Sequence, residues 1–473
     1  MAVVTFAPKD AYQVMNSLVH QATGQTDITV TDTSSFIDAG NAVLDTGYEN
    51  VFNSLSVLIT RSIIATRPYT GKFRLIARNE ADAFDNRVRK ISFYARDNQA
   101  SGMFNTDINT NLGAGLSDTD GAGSMWEQNP AIPAERLFYS SFTWDKSHTQ
   151  YLEQVKIAFT DERSFIDFIN GVMVEVQNDI ESTIEARNRM VVIDRIAGQK
   201  LLTDNGDLGS ESAVNLTKAF NEEFGTTYST AEILQEHLTA FLEFYVARVK
   251  IDSDFLENRS TMYHDPMTKQ ISGDDYVVLR HTPKARQRFI YYSPFFTKAK
   301  ARVLPEIFNP QYLGDINANG EGIDYWQSIK NPSAIDVTPA LPNGAESSEV
   351  KLDLVIGMLF DEEAIMTNNK FQGMYTTPIN ARHVYTNMWW HYLFGVCQDY
   401  SENCILYYMA DESETFTGDG VEDEFTLTGD VTEILSVTVN GTETTEYTYD
   451  SDTQTITFTT APADEAVIVV KYK

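Results

Sequence analysis

Thr160-Asp-Glu-Arg-Ser-Phe-Ile-Asp-Phe-Ile-Asn-Gly-Val-Met-Val-Glu-Val-Gln-Asn-Asp-Ile-Glu-Ser-Thr-Ile184 decides how the chain is read. Phe165, Ile169, Val172, Val176, Ile180 and Ile184 step by three or four, the period of one helical face. Thr160 is a capping residue, and Asp161 and Glu162 suit the positive first turn. The pattern predicts a helix from Thr160 to Gly198, on the order of 50 Å long at 1.5 Å per residue. Such a rod braces something larger than a small domain. Just before it, Asn86 to Arg96 alternates with period two, and a β-rich return runs from Leu137 to Phe159. Between them, Asp97 to Gly123 is rich in Gly, Asn and Asp. Strand, pliant tip and returning strand predict a long hairpin that leads into the rod.

Charge sharpens that reading. The 473 residues carry a net charge of −31, spread unevenly. Between Arg61 and Arg96 nine basic residues meet three acids; from Asp411 onward fifteen acids meet only Lys471 and Lys473. A hairpin of one sign and a tail of the other predict attraction between copies of the molecule. The overall acidity argues against general nucleic-acid binding, since a polyanion repels a surface of its own sign. Hydrophobic residues make up 42%, which supports a folded chain of about three domains' length. Two cysteines exclude a disulfide framework. The longest apolar stretch, Trp389 to Cys397, is too short to cross a bilayer, and the first residues lack a basic signal-peptide start.

Elsewhere, a short helix is expected over Ala11, Val14, Met15 and Leu18, with Pro8 before it and Gly24 after it. The Thr29–Ser35 stretch reads as a connection, and a second helix is expected from Tyr48 to Thr66, stopped by Pro68. From about Ser229 to Ala410 the chain mixes a helix (Ala231–Val249), strands (Tyr276–Arg280, Phe289–Tyr292, Val350–Phe360) and an aromatic segment (Tyr385–Met409). It has no βαβ rhythm, which makes the class α+β. The last residues form short Thr- and Val-rich strands at Phe416–Leu427, Ile434–Val439, Glu446–Tyr449, Thr453–Thr459 and Ala466–Lys473. Asn440-Gly441 serves as a hairpin turn, and the whole reads as a small all-β sandwich.

Catalytic patterns fail one after another. Gly71-Lys72 lacks the phosphate-loop spacing, Gly113-Ala-Gly115 lacks the third glycine of a dinucleotide site, and no G-x-S-x-G occurs. The seven histidines form no zinc pattern. Cys397 and Cys404, placed on one helix, would lie about 10 Å apart, too far for a disulfide. Asp361-Glu362-Glu363 and Asp419 to Glu424 do not fit a calcium loop. Neither an enzyme activity nor a cofactor or metal is expected.

Three stretches together resemble the major capsid protein of tailed bacteriophages, the Hong Kong 97-like family. They are Phe36 to Tyr69, the hairpin and long helix from Asn86 to Gly198, and Phe360-Asp-Glu-Glu-Ala-Ile-Met with Thr376 to His391 and Tyr400 to Leu406. The resemblance implies an N-terminal arm (1–60), an E-loop region (61–150), a peripheral domain with the spine helix (151–224), an axial domain (225–380) and a return to the peripheral domain (381–410). Residues 411–473 resemble the immunoglobulin-like sandwiches that phages append to virion proteins as outer decoration. The resemblance also implies self-assembly through hexamers and pentamers into an icosahedral head assembled in the bacterial cytoplasm. It implies portal and scaffolding partners, and enclosed double-stranded DNA held without sequence-specific binding.

The interface candidates are Arg87, Arg89, Lys90 and Arg96 on the hairpin, with Asp361, Glu362 and Glu363 as their acidic counterpart. An alternative is a tail or adhesion protein whose terminal sandwich binds a host surface or a minor capsid protein. A third reading, a hydrolase acting through Asp361 to Glu363, has no support in the spacing.

Overall fold

The computed structural model describes residues 12, 15–16, 19–20, 29–45, 71–77, 87–95, 131–139, 141–151, 162–271, 274–302, 320–342, 347–380, 382–429 and 431–473. These divide into two compact units, one drawn from Met1–Arg87, Tyr139–Val192 and Ile365–Cys397, the other from Val88–Phe138, Ile193–Ala364 and Gln398–Lys473.

In the first unit a three-stranded sheet has the order Ile365–Thr376, Tyr385–Gln398, Ser141–Tyr151. The last two strands are antiparallel, from Tyr385 opposite Tyr151 to Gly395 opposite Ser141. Aromatic pairs stitch the register: Trp144 stacks on Tyr392 at 4.6 Å, and Arg187 of the long helix lies 4.4 Å from the Phe142 ring. Residues 71–77 are tied in through Thr367, whose N–H donates to the Ile76 carbonyl, and Asn188, whose amide donates to the Phe73 carbonyl. The expected connection at Thr29–Ser35 instead opens a helix, Thr33–Asp45. Asp32 caps it by accepting from the Ser35 N–H at 2.8 Å, and Phe36, Ala39 and Val43 form its buried side. The expected helix Tyr48–Thr66 lies outside the described residues, as do Pro8 and Gly24 of the first one.

The long helix spans Glu162–Asp204, six residues beyond the expected stop at Gly198. Packing keeps that glycine inside the helix: a Cβ there would fall 2.1 Å from the Tyr400 hydroxyl. The ring of Tyr400 therefore occupies the space that a side chain would fill.

The second unit is built on a five-stranded sheet in the order Ala213–Asn215, Cys404–Met409, Leu354–Asp361, Gln287–Tyr292, Gly320–Ile323. The three central strands are antiparallel, and each edge strand runs parallel to its neighbour. Leu-Val-Ile-Gly-Met-Leu-Phe of the middle strand is apolar without alternation because both faces are covered. The helices Leu216–Phe224, Leu238–Phe255 and Ser293–Arg302 supply an aromatic layer of Phe220, Phe241, Phe244, Tyr245, Phe295 and Phe296.

Several expected boundaries change. The helix Ala231–Val249 is two helices, Thr230–Gln235 and Leu238–Phe255; the first opens on a Ser229/Glu232 capping box that the hydrophobic period does not reveal. Tyr276–Arg280 yields only the strand Asp274–Tyr276, and Val350–Phe360 breaks at Asp353. Cys397 and Cys404 sit on two successive strands rather than one helix; both are buried thiols outside any disulfide.

Residues 412–472 form two small sheets, one of Glu412–Thr417, Val467–Tyr472, Ile434–Val439 and Thr442–Glu443, the other of Glu424–Thr426, Thr455–Phe458 and Tyr447–Asp450. They share a core of Phe425, Leu427, Val431, Val437, Ile456, Phe458, Ile468, Val470 and Tyr472. Asn440 and Gly441 both take positive φ, 51° and 77°, as the two-residue hairpin turn requires.

Candidate functional site

The two hairpin strands, Arg87–Phe93 and Pro133–Tyr139, hydrogen-bond to each other as a separate two-stranded sheet. Alternation along both strands sorts their side chains onto two faces. One face carries Lys90, Ser92, Ala134 and Arg136; the other carries Arg89, Ile91, Phe93, Glu135 and Leu137. The usual distribution is inverted: Lys90 and Arg136 lie on the covered face, while on the other Ile91, Phe93 and Leu137 are each more than half exposed.

The covered face is received by the turn Asp399–Asn403. Lys90 Nζ lies 2.9 Å from Asp399 Oδ2, 3.3 Å from Glu402 Oε1 and 3.4 Å from Glu363 Oε2, and donates to the Glu363 carbonyl at 3.2 Å. Arg136 pairs with Asp265 and, at 3.5 Å, with Asp399. Arg280 holds Glu402 at 3.2 Å, the Ser401 carbonyl and the Ser92 hydroxyl. Asp399 also accepts from the Ser401 N–H and hydroxyl.

Burial and charge compete at each group. Burial would lower the pKa of Lys90, but Asp399 and Glu402, then Glu363, outweigh it and hold the ammonium above its ordinary value. Burial would raise Asp399, but Lys90 and the Ser401 hydrogen bonds bring it below the usual carboxylate range. For Glu402 burial wins over Lys90 and Arg280, and its pKa is raised. Beneath the turn, buried His264 is shifted down by burial; its ring nitrogens meet Asn403 Oδ1 at 3.0 Å and the Val278 carbonyl at 2.9 Å. Tyr400 anchors the same turn to the long helix, with its ring 3.9 Å from the Arg195 guanidinium.

The interface candidates are therefore distributed as follows. Arg89 pairs across the hairpin with Glu135, Nη2 to Oε2 at 2.9 Å. Lys90 is spent on its own chain. Arg87 lies on the first strand, and Arg96 lies outside the described residues. Asp361 is buried, which raises its pKa, and it accepts from the Glu363 N–H; Glu362 pairs with Arg288 at 2.7 Å and Glu363 with Arg286 at 3.3 Å. Among the described residues, the ion pair that joins the basic set to the acidic set is Lys90 with Glu363. Asp399, Glu402, Arg136, Arg280 and His264 carry no motif; the first four meet Lys90 or one another across gaps that reach 312 residues, and His264 joins them through Asn403 of the same turn. Among the described residues no group of three His, Cys, Asp or Glu side chains is placed to hold a metal, and no helix is long and apolar enough to cross a membrane.

A hairpin sheet clamped through Lys90 and Arg136, with Ile91, Phe93 and Leu137 left bare on its other face, suits a protein that works by meeting other proteins. Residues 102–408, more than half of the chain, match the family model described as Phi29-like phage major capsid protein, and the chain belongs to that family. It is a structural protein of the virion that self-assembles into the head shell. No curated protein matches the sequence. Among solved structures, a chain in the capsid of Staphylococcus phage Andhra is similar at 14% identity and a TM-score of 0.46, covering 72% of this chain and 84% of that one. A chain in the capsid of the cyanophage P-SCSP1u is similar at 12% identity and a TM-score of 0.41, covering 73% and 90%. The β-rich residues 411–473 lie beyond the matched range.

Proposed function

We propose that the chain adopts the Hong Kong 97-like arrangement and closes, through hexamers and pentamers, into an icosahedral shell around packaged double-stranded DNA. In this reading a separate scaffolding protein and a portal guide assembly. The hairpin is the E-loop, the helix Glu162–Asp204 is the spine, and residues 411–473 are an immunoglobulin-like module on the outer surface. The single observation that carries the interface is the inverted hairpin sheet. Its cations Lys90 and Arg136 are paired within the chain, so a neighbouring copy meets Ile91, Phe93 and Leu137, flanked by the Arg89–Glu135 pair. Three such side chains bury a few hundred Å² at most, well short of the roughly 800 Å² per partner of a stable pair. The contact therefore holds only when repeated around a closed ring.

Lys90 and Glu363 act in this scheme by fixing the hairpin base, and Arg89 lies at the rim of the contact. The test is the double substitution I91D/F93D, co-expressed with the scaffolding protein and viewed by negative-stain electron microscopy. The subunit is expected to fold with an unchanged circular dichroism spectrum and to form no shells. Shells at the normal yield would overturn the assignment of this face.

A further inference from the structure

The acidic module at residues 411–473 has two basic side chains, Lys471 and Lys473, and both reach off the module. Lys471 Nζ lies 3.0 Å from Asp353 Oδ2, and Lys473 Nζ lies 2.8 Å from Glu232 Oε1. The converse pair, Lys218 of the helix Leu216–Phe224 with Glu412, closes at 3.2 Å. The junction between module and body is equally engaged. Asn215 clamps Ala410 from both sides, donating to its carbonyl at 2.9 Å and accepting from its N–H at 3.3 Å. The Asp411 carboxylate accepts from the Thr230 N–H at 2.6 Å.

The group that receives Lys473 is itself fixed. Glu232 is the third residue of the capping box and accepts from the Ser229 N–H at 2.8 Å through its other oxygen. Lys473 is held from its own side by backbone bonds with Thr432 and Glu433 and by the Glu433 carboxylate at 3.0 Å. By contrast, among the described residues Asp419, Glu422, Asp423, Glu424, Asp450 and Asp464 form no ion pair. The module has thus placed its positive charge at the seam.

We infer that the module is a fixed part of the subunit, seated on the body of its own chain by a lysine edge, and that this edge sets its orientation. Single exposed pairs are weak and screened by salt. Here three of them act together across a junction of two residues, Ala410 and Asp411, which keeps the partners at high effective concentration. The seat goes beyond the assembly reading above and does not depend on it. Its consequence is that the module's position on a shell follows from the body lattice rather than from a tether.

The experiment measures one distance in the full-length, unassembled chain. Spin labels are placed on the exposed positions D450C in the module and N258C in the body, while buried Cys397 and Cys404 stay unlabelled. Double electron–electron resonance is expected to give one narrow distribution. In K471E/K473Q it is expected to broaden about twofold, and adding D353K is expected to narrow it again by restoring one pair in the opposite sense. A broad distribution in the unsubstituted chain, or a narrow and unmoved one in K471E/K473Q, would overturn the seat. If that variant does not fold, the unsubstituted chain decides: raising salt to about 1 M shortens the screening length to about 3 Å and should broaden the distribution, and insensitivity to salt refutes the inference.

Discussion

Replacing Lys90 by Met removes the cation at the centre of the hairpin base and leaves the apolar stem. Its side chain is 13% exposed and that of Asp399 is fully buried, so this is a desolvated pair rather than a surface one. Breaking a buried pair by removing one member costs about 3–5 kcal/mol, because the remaining charge is left without compensation. Asp399 keeps Arg136 at 3.5 Å and two hydrogen bonds from Ser401, which places the expected loss near the lower end, about 3 kcal/mol. At 1.36 kcal/mol per decade this is about a hundredfold in local opening.

Native-state hydrogen exchange of the Asp399–Asn403 amides reads that opening directly. The pH dependence separates electrostatics from packing. Asp399, with its folded pKa lowered, contributes stability that is present above the ordinary carboxylate range and lost as pH falls through the folded value. Lys90, with its pKa raised, contributes stability fully present below the ordinary lysine value and lost as pH rises through the folded one. Glu402 has the opposite sign from Asp399: its raised pKa makes the charged form costly near neutrality, and protonation relieves that cost. The K90M penalty should therefore shrink between pH 7 and about 3, below the ordinary aspartate value, as Asp399 protonates. K90M/D399N should recover most of the loss, since both charges are then gone. Exchange unchanged in K90M at pH 7, or a penalty that is the same at both pH values, would refute the reasoning.

Gly198→Ala should lower the thermal unfolding midpoint, at a cost of about 1–3 kcal/mol, because its Cβ meets the buried Tyr400 ring that Arg195 already covers; a midpoint equal to that of the unsubstituted chain would count against the packing account. The Glu232 carboxyl is held down to about 2, first by Lys473 and then by the Ser229 hydrogen bonds, so its contribution to the module seat is present above the ordinary carboxylate range and is lost as pH falls toward 2. The D450C/N258C distance distribution should accordingly stay narrow from neutrality to about pH 4 and widen below it.

Local rules made much of the chain legible. The long helix is visible in Phe165 to Ile184 because one stripe of apolar residues at helical spacing has few other solutions. Ile434–Val439 and the Asn440-Gly441 turn are equally local, since positive φ at two adjacent residues favours that pair. The capsid family was legible in the order of the hairpin, the helix and the Phe360 and Thr376 stretches. Boundaries failed where tertiary contact outbid local preference. Gly198 did not stop its helix because Tyr400, two hundred residues on, fills the space beside it. The site failed for a related reason. Arg89, Lys90 and Arg96 are conspicuous as charge, yet the residues that receive Lys90 are Asp399 and Glu402, single acids in no pattern.

Composition alone therefore determined that the molecule carries a basic hairpin and an acidic tail, because charge is a sum over residues and needs no coordinates. Which charges face inward is a matter of pairing in space, and only the tertiary structure decided it. The hairpin turns Lys90 and Arg136 to its own body and Ile91, Phe93 and Leu137 outward beside the Arg89–Glu135 pair, and the tail turns its two lysines to the seam. At the hairpin the reverse would leave the buried Asp399 and Glu402 without their cation, whereas at the seam the paired charges are exposed and are held by the short junction.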